Sequence, residues 1–479
     1  MKNGISTLSD YFDIFKTDKV AIKEIFATAL DRGGDYCDIF FEKNRYEYIS
    51  LEDHKVNKAS LTYSIGAGIR VIKGERTGYS FSENLSITSL KNAAKIASQI
   101  ADSNKKISPI GINQIKIANL YESNKNESSP DAFLVKDKIK IIKNIDDIIF
   151  KTDDRVIKAS VSVHDEDSFV LIASSDGKIS TDYRPMTQIS ASCTAEHKGM
   201  KENNSHSIST RHGMGFYSPE IVKELAIKAV TRTTKLFDAL SPKGGEMELV
   251  LSAGSSGILL HEAIGHGMEA DFIRKGVSIF ADKLGKKVAD NFITIVDDGT
   301  IPYDRGSINV DDENNETQKT VLIENGILNS FMHDRISSTF FKIKPTGNGR
   351  RESFKSPPLP RMRNTYMLPG PHKKEEIIKS IKSGILAESF TNGQVLIGAG
   401  DFTFYVKYGY MVENGKITSP IKDINIIGNG PDILSKISMV ANNLEMAEGG
   451  WTCGKDGQSV PVSMGLPTVK ISSITVGGR

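Results

Sequence analysis

The stretch His261-Glu262-Ala263-Ile264-Gly265-His266 constrains the fold of this chain more than any other. Two imidazoles and a carboxylate within six residues suggest a zinc site with its own general base. Neutral imidazole is a common zinc ligand, and a carboxylate beside it can take a proton from metal-bound water. The familiar metallopeptidase pattern spaces its histidines i, i+4, on one helix face. Here the spacing is i, i+5. At about 100° per residue the rings end roughly 140° apart on a regular helix and cannot share an ion. A single-turn π-bulge absorbs one residue and restores the common face. Gly265 is the residue most able to take up that distortion. Of the nine histidines, only this pair lies within two helical turns and carries an adjacent glutamate.

A catalytic zinc usually takes three protein ligands and leaves one position for water. Glu269, Asp271, His333, His372 and Cys453 are the candidates by chemistry. Cys453 is favoured by its setting, because a glycine-rich loop lets the backbone approach an ion and a thiolate binds zinc well. The same loop, Gly449-Gly450-Trp451-Thr452-Cys453-Gly454-Lys455-Asp456, mimics the start of a phosphate-binding loop. Asp456 stands where the magnesium-binding hydroxyl belongs, and a helix rather than a strand is expected before it, so nucleotide binding is rejected. Gly66 and Gly68 hint at a dinucleotide fingerprint, but Val71 occupies the third glycine position, and that motif is rejected too.

A chain of 479 residues exceeds one hydrophobic core. Three units are expected: an α+β unit over 1–125, a second over 126–240, and a larger β-rich unit over 241–479 that carries the motif. The fold class is α+β, an N-terminal sheet-and-helix region followed by the β-rich domain. Helices are expected at 20–32, from Ser86, at 132–150, after Ser218-Pro219, and near 430–446. Strands are expected at 36–41, 46–51, 63–72, 156–163, 169–173, 178–183, 186–196, 292–296, 468–471 and 473–476. A polar loop over 102–130 holds at most one short strand near Ile115–Leu120. Residues 344–371 read as irregular. Phe402, Phe404, Val406, Tyr408 and Tyr410 alternate with less apolar neighbours, a strand that turns at Asn414-Gly415. Its edge is a place where an extended peptide would add through main-chain hydrogen bonds. Alternatively it is a central strand paired on both sides.

A net charge of +2 gives no electrostatic case for nucleic-acid or membrane binding. Three widely spaced cysteines, 37, 193 and 453, form no disulfide framework. The N-terminus lacks the apolar core of a signal peptide. A reducing, cytoplasmic setting is expected. Arg350, Arg351, Arg361 and Arg363 cluster in the irregular segment, where they hold a substrate carboxylate or form a solvated loop.

Taken together, these residues resemble the TldD/PmbA family of bacterial and archaeal metallopeptidases, in its TldD-like form. In the N-terminal part the likeness rests on Tyr36-Cys37-Asp38-Ile39, Gly68-Ile69-Arg70-Val71, Gly74 and Thr77-Gly78-Tyr79. In the C-terminal part it rests on the motif continued through Gly267-Met268-Glu269-Ala270-Asp271-Phe272, and on Gly347-Asn348-Gly349-Arg350-Arg351-Glu352-Ser353. Pro360-Arg361-Met362, Asn364-Thr365-Tyr366-Met367-Leu368-Pro369-Gly370 and the cysteine loop complete it. The resemblance implies that His261, His266 and Cys453 bind Zn2+ and that Glu262 is the catalytic base. It implies a hydrolase of small or unfolded peptides, acting in peptide maturation or degradation. The partner would be a PmbA/TldE-like subunit lacking the motif, or a second copy of this chain. The rival from another class is a non-catalytic interaction protein that modulates DNA gyrase by contact alone.

Overall fold

The structure, a computed structural model, describes residues 7–101, 111–121 and 133–477. The opening residues 1–6, most of the polar segment 102–130 and the boundary expected at 125/126 lie outside the described residues. A two-residue strand at Asn113–Gln114 stands in place of the strand expected near Ile115–Leu120.

The protein is α+β. Its N-terminal half is one seven-stranded sheet, so the two units expected there share a single framework. The strand Tyr36–Glu52 pairs with Lys55–Lys73 on one side and with Val156–Ser174 on the other, from Asp38 opposite Ser174 to Glu52 opposite Ser160. Lys178–His197 and Met200–Thr210 continue the sheet outward. Side chains alternate between faces along a strand, and here two groups of odd-numbered apolar positions meet helices. Ile39, Phe41, Ile69, Leu171 and Ala173 pack under helices Leu8–Phe15, Lys19–Leu30 and Ile87–Ser98. Ile49, Val161, Val163, Ile189 and Ala191 pack under Val135–Thr152 and Pro219–Thr234. Cys193 is buried in this second core.

Between the two cores lies a belt of charge on the same face. Lys138, fully buried, pairs with Glu47 at 2.9 Å and with Asp165, while Arg45 reaches Glu47 and Asp167. These charges interrupt the apolar alternation in mid-strand. That is why 36–41 and 46–51, and likewise 156–163 and 169–173, read as separate strands although each pair is one continuous strand.

The even-numbered face docks on the C-terminal domain. Phe40, Val170 and Ile172 meet Val310 and Phe354. Phe354 lies directly on the main chain of the sheet: a Cβ on Gly66 would sit 2.2 Å from its ring, and one on Gly68 2.4 Å from its carbonyl oxygen. The glycine pair rejected above as a dinucleotide signal is therefore a seat for an aromatic ring. Beside it, Arg70 Nε donates to Asp38 at 2.8 Å and Arg70 Nη1 meets Glu313 at 2.7 Å. Arg351 Nη2 reaches the other Asp38 oxygen at 3.2 Å.

In the C-terminal domain five strands close into a barrel: Lys416–Asn429, Asp401–Glu413, Ser383–Leu396, Gly245–Leu251 and Val469–Gly477, with Asn425 to Ile427 returning to pair with Gly477 to Thr475. A second sheet of six short strands includes Ile295–Asp298, Asn364–Met367 and Ser463–Leu466. Asn414 and Gly415, with φ of 49° and 74°, make the tight hairpin expected of them. Three expectations need correction. The helix near 430–446 stops at Lys436, because Ile437–Val440 is drawn into pairing with the last strand. The two strands expected at 468–471 and 473–476 are one, Val469–Gly477, whose register shifts between Ile471 and Ile474, the break that made it look like two. The run Phe402–Tyr410 is paired on both sides, so it offers no edge to a peptide. Among the described residues, no helix is long and apolar enough to cross a membrane.

Removing one partner of a buried ion pair strands the others, at a cost of about 3–5 kcal/mol. Asp38→Ala, which leaves Arg70 and Arg351 facing each other, is expected to destabilise the protein by about that amount. Urea unfolding followed by circular dichroism reads it; a loss below about 1 kcal/mol would mean that the cluster does not fasten the sheet to the C-terminal domain.

Candidate metal centre

The motif follows the barrel strand Gly245–Leu251. Gly254, with φ of 85°, turns the chain, and its N–H bonds the Leu466 carbonyl at 2.9 Å. A short helix, Ile258–Leu260, then widens into a π-helix over His261–Gly265 and tightens into a 3₁₀ turn at His266–Met268. The His266 N–H bonds the His261 carbonyl, five residues back. The extra residue is thus absorbed where the spacing of the histidines requires it, and the two rings come to centroids 5.1 Å apart at 82°. Gly265 has ordinary helical angles, φ −58° and ψ −52°, so backbone freedom is not its role. A Cβ there would sit 2.1 Å from Met362 Sδ. Glycine is needed for close approach. Leu259, Leu260, Ala263, Ile264 and Met268 anchor the segment in the main C-terminal core.

Cys453 arrives from the hairpin Thr452–Lys455 with Gln458–Pro461. Asp456 and Gly457, with φ of 49° and 72°, form its tight turn, so the stretch that mimicked a phosphate loop is a strand hairpin. Donor atoms of His261, His266 and Cys453 all lie within 4.8 Å of one another, and all three residues are buried. Cys453 Sγ is 3.4 Å from His266 Nε2. The Glu262 carboxylate is 3.9 Å from the same nitrogen and keeps 22 % of its side chain exposed. It borders a cavity of about 950 Å³ lined also by Phe272, Thr403, Asn429, Asp432 and Lys455.

Behind the histidine runs a chain of charges. Glu269 accepts from His266 Nδ1 at 3.0 Å, which turns Nε2 toward Cys453. Lys455 Nζ meets Glu269 at 3.2 Å, Asp271 at 2.7 Å and the Pro360 carbonyl at 3.1 Å. Burial alone would push Glu269 up, but Lys455 and His266 outweigh it and hold its pKa at about 2. Burial likewise disfavours charge on His266 and Cys453. The Glu269 carboxylate overcomes it at His266, whose pKa rises, and the two imidazoles overcome it at Cys453, whose pKa falls well below the usual thiol range. Two nitrogens and a readily ionised sulfur are the donor set that zinc prefers. His261 Nδ1, buried without a hydrogen-bond partner, fits that role as well.

Of the other candidate ligands, Glu269 and Asp271 serve this charge chain. His333 is buried between Phe331 and Phe341, where burial lowers its pKa to about 4, and His372 bonds Val440. The arginines expected to bind substrate are 0–5 % exposed and engaged inside the protein. Arg350 donates to the Met362 and Pro461 carbonyls, Arg351 to Asp38 and the Asp312 carbonyl, and Arg361 to the Cys453 and Gln458 carbonyls. A second grouping joins His54, in the turn after Tyr36–Glu52, to Asp146 and Asp147 on the helix Val135–Thr152, with His54 and Asp147 exposed.

Three family models match the chain: PmbA/TldA metallopeptidase domain 1 over 37–101, the central domain over 128–237 and the C-terminal domain over 244–478. The metalloprotease TldD homolog of Buchnera aphidicola subsp. Acyrthosiphon pisum is 39 % identical over 466 residues, 96 % of this chain and 95 % of that one. The homolog from Haemophilus influenzae is 39 % identical over 463 residues, 95 % of each. The zinc metalloprotease TldD homolog of Saccharolobus solfataricus is 39 % identical over 239 residues, 50 % of this chain and 53 % of that one. Among solved structures, TldE from Thermococcus kodakarensis shares the fold, with a TM-score of 0.74 at 20 % identity over 96 % of this chain and all of that one. So does a Thermotoga maritima protein named as a candidate gyrase modulator, with a TM-score of 0.77 at 22 % identity over 97 % and 100 %.

Cys453→Ser and His266→Ala are each expected to lose most bound zinc, whereas Cys37→Ser and Cys193→Ser keep it. Metal content of the purified, dialysed proteins reads this. Stoichiometric zinc in Cys453→Ser would take that residue out of the ligand set.

Proposed function

The chain belongs to the PmbA/TldD metallopeptidase family, and from that membership we propose that it is a zinc-dependent peptidase of short or unfolded peptides with Glu262 as general base. The observation that carries the proposal is the arrangement beside the cavity: three convergent donors, with a partly exposed carboxylate 3.9 Å from one of them. A purely structural metal site has no use for that carboxylate. Zinc held by His261, His266 and Cys453 would supply Lewis acidity, acidifying water and polarising the scissile carbonyl. Glu262 then accepts the proton of the attacking water on its carboxylate and returns it to the leaving amine. Glu269 fixes the tautomer of His266, and Lys455 keeps Glu269 ionised.

Extended substrates fit the cavity wall. The strand Thr452–Lys455 pairs with Gln458–Pro461 alone among the described strands. In a hairpin closed at Lys455 and Gln458, the backbone groups of Gly454 point away from the partner strand. Gly454 lines the cavity, so its free N–H and carbonyl are available to a peptide laid alongside. Main-chain recognition tolerates many sequences but requires a chain with no structure of its own. The shared fold with TldE supports assembly with a PmbA/TldE-like subunit, or with a second copy of this chain.

Glu262→Ala is expected to retain zinc while its turnover of an unstructured peptide falls about 10²–10⁴-fold. The measurement is metal content beside cleavage rate, with and without a partner subunit. Undiminished cleavage would remove Glu262 from the chemistry, and absence of cleavage in the wild type under all these conditions would favour an interaction protein. With a stable globular domain offered folded and unfolded, only the unfolded form should be cut. Efficient cleavage of the folded form would sink the extended-chain reading.

A further inference from the structure

We propose that Arg361 and Met362 together set the spacing between the histidine pair and Cys453, with Arg361 a positioning residue for the cysteine. The inference rests on the reading that these three side chains hold the metal.

Arg361 has no exposed surface, and its guanidinium donates to main-chain carbonyls. Nη2 donates to the carbonyl of Cys453 itself and Nη1 to that of Gln458 at 3.2 Å, so one planar guanidinium ties both strands of the ligand hairpin. Burying a guanidinium disfavours folding unless its donors are well used. Here two of them are spent on the backbone that carries the third ligand. The next residue does the complementary task. Met362 Sδ fills the space that a Cβ on Gly265 would occupy, directly before His266. Two consecutive residues thus contact the two ligand-bearing elements, one each.

The dipeptide is itself held from several sides. Its Arg361 N–H and carbonyl both bond Asn348, each at 2.9 Å. Arg350 bridges the Met362 carbonyl at 2.6 Å and the Pro461 carbonyl at 2.7 Å, and Lys455 reaches back to the Pro360 carbonyl. Methionine elsewhere in a core tolerates repacking, but a sulfur lodged against a glycine main chain leaves no such slack. The arrangement amounts to a spacer: lengthen or loosen it and the thiolate leaves the position set by the imidazoles.

The test loads full-length protein with Co2+ and records its affinity and the thiolate-to-cobalt charge-transfer band. Arg361→Met, which keeps bulk and removes the donors, is expected to weaken cobalt binding about 10–100-fold, the range for groups that orient metal ligands, and to diminish the band. Arg361→Lys, able to reach one carbonyl, should recover part of both. Gly265→Ala should produce a comparable loss, and Gly265→Ala with Met362→Ala should regain most of it; this pair decides the matter if Arg361→Met does not fold. Wild-type affinity and band in Arg361→Met, or no recovery in the Gly265→Ala, Met362→Ala double variant, overturns the spacer. Cys453→Ser serves as the control: a band that survives there refutes the ligand assignment itself, a failure distinct from that of the spacer.

Discussion

A single main-chain hydrogen bond, from the His266 N–H to the His261 carbonyl, underlies the candidate site. Made one residue later than in an α-helix, it rotates the second imidazole back onto the face of the first. A π-turn is a poor local bargain on its own. It persists here because the segment is welded into the largest core through Leu259, Leu260, Ala263, Ile264 and Met268. Its glycine also admits a methionine sulfur that no other residue would allow. Local geometry is thereby set by packing from outside the helix.

Charge buried in pairs organises much of what surrounds it. Asp38, Arg70, Glu313 and Arg351 fasten the sheet to the C-terminal domain. Asp297 accepts from Arg363, Asn348 and Thr365 and so fixes a segment with little regular structure. Such ion pairs add little net stability over apolar contacts, but each one penalises any arrangement that separates its members. In a region of short strands and loops, that penalty supplies the uniqueness that a longer hydrogen-bonded ladder would otherwise give.

The parts of this design that were legible in the sequence are those whose logic is local. The five-residue histidine spacing demanded a π-turn before any tertiary contact was known, and the glycine setting singled out Cys453 for attention. The Asn414-Gly415 hairpin was equally readable. Non-local partners were not. Asp165, Glu166 and Asp167 look like a loop until Lys138 and Arg45 are seen to meet two of them across the sheet. The arginines after residue 349 announce positive charge but not its destination, which is the interior. Phe402–Tyr410 reads as a strand, yet only the barrel shows that both of its edges are taken. Gly265 was identified as necessary for the wrong reason, since the neighbour that excludes its Cβ lies about a hundred residues away.

Phe354 gives the architecture a mechanical character. Its ring rests on bare backbone at Gly66, and its carbonyl takes the Tyr79 hydroxyl at 2.7 Å. The same stretch of chain continues within a few residues to Arg361 and Met362. Docking of the N-terminal sheet and alignment of the cysteine hairpin are therefore two ends of one short lever. A hinge between the halves would have to drag that lever with it, so any shift of the docked sheet would be carried to the cysteine hairpin.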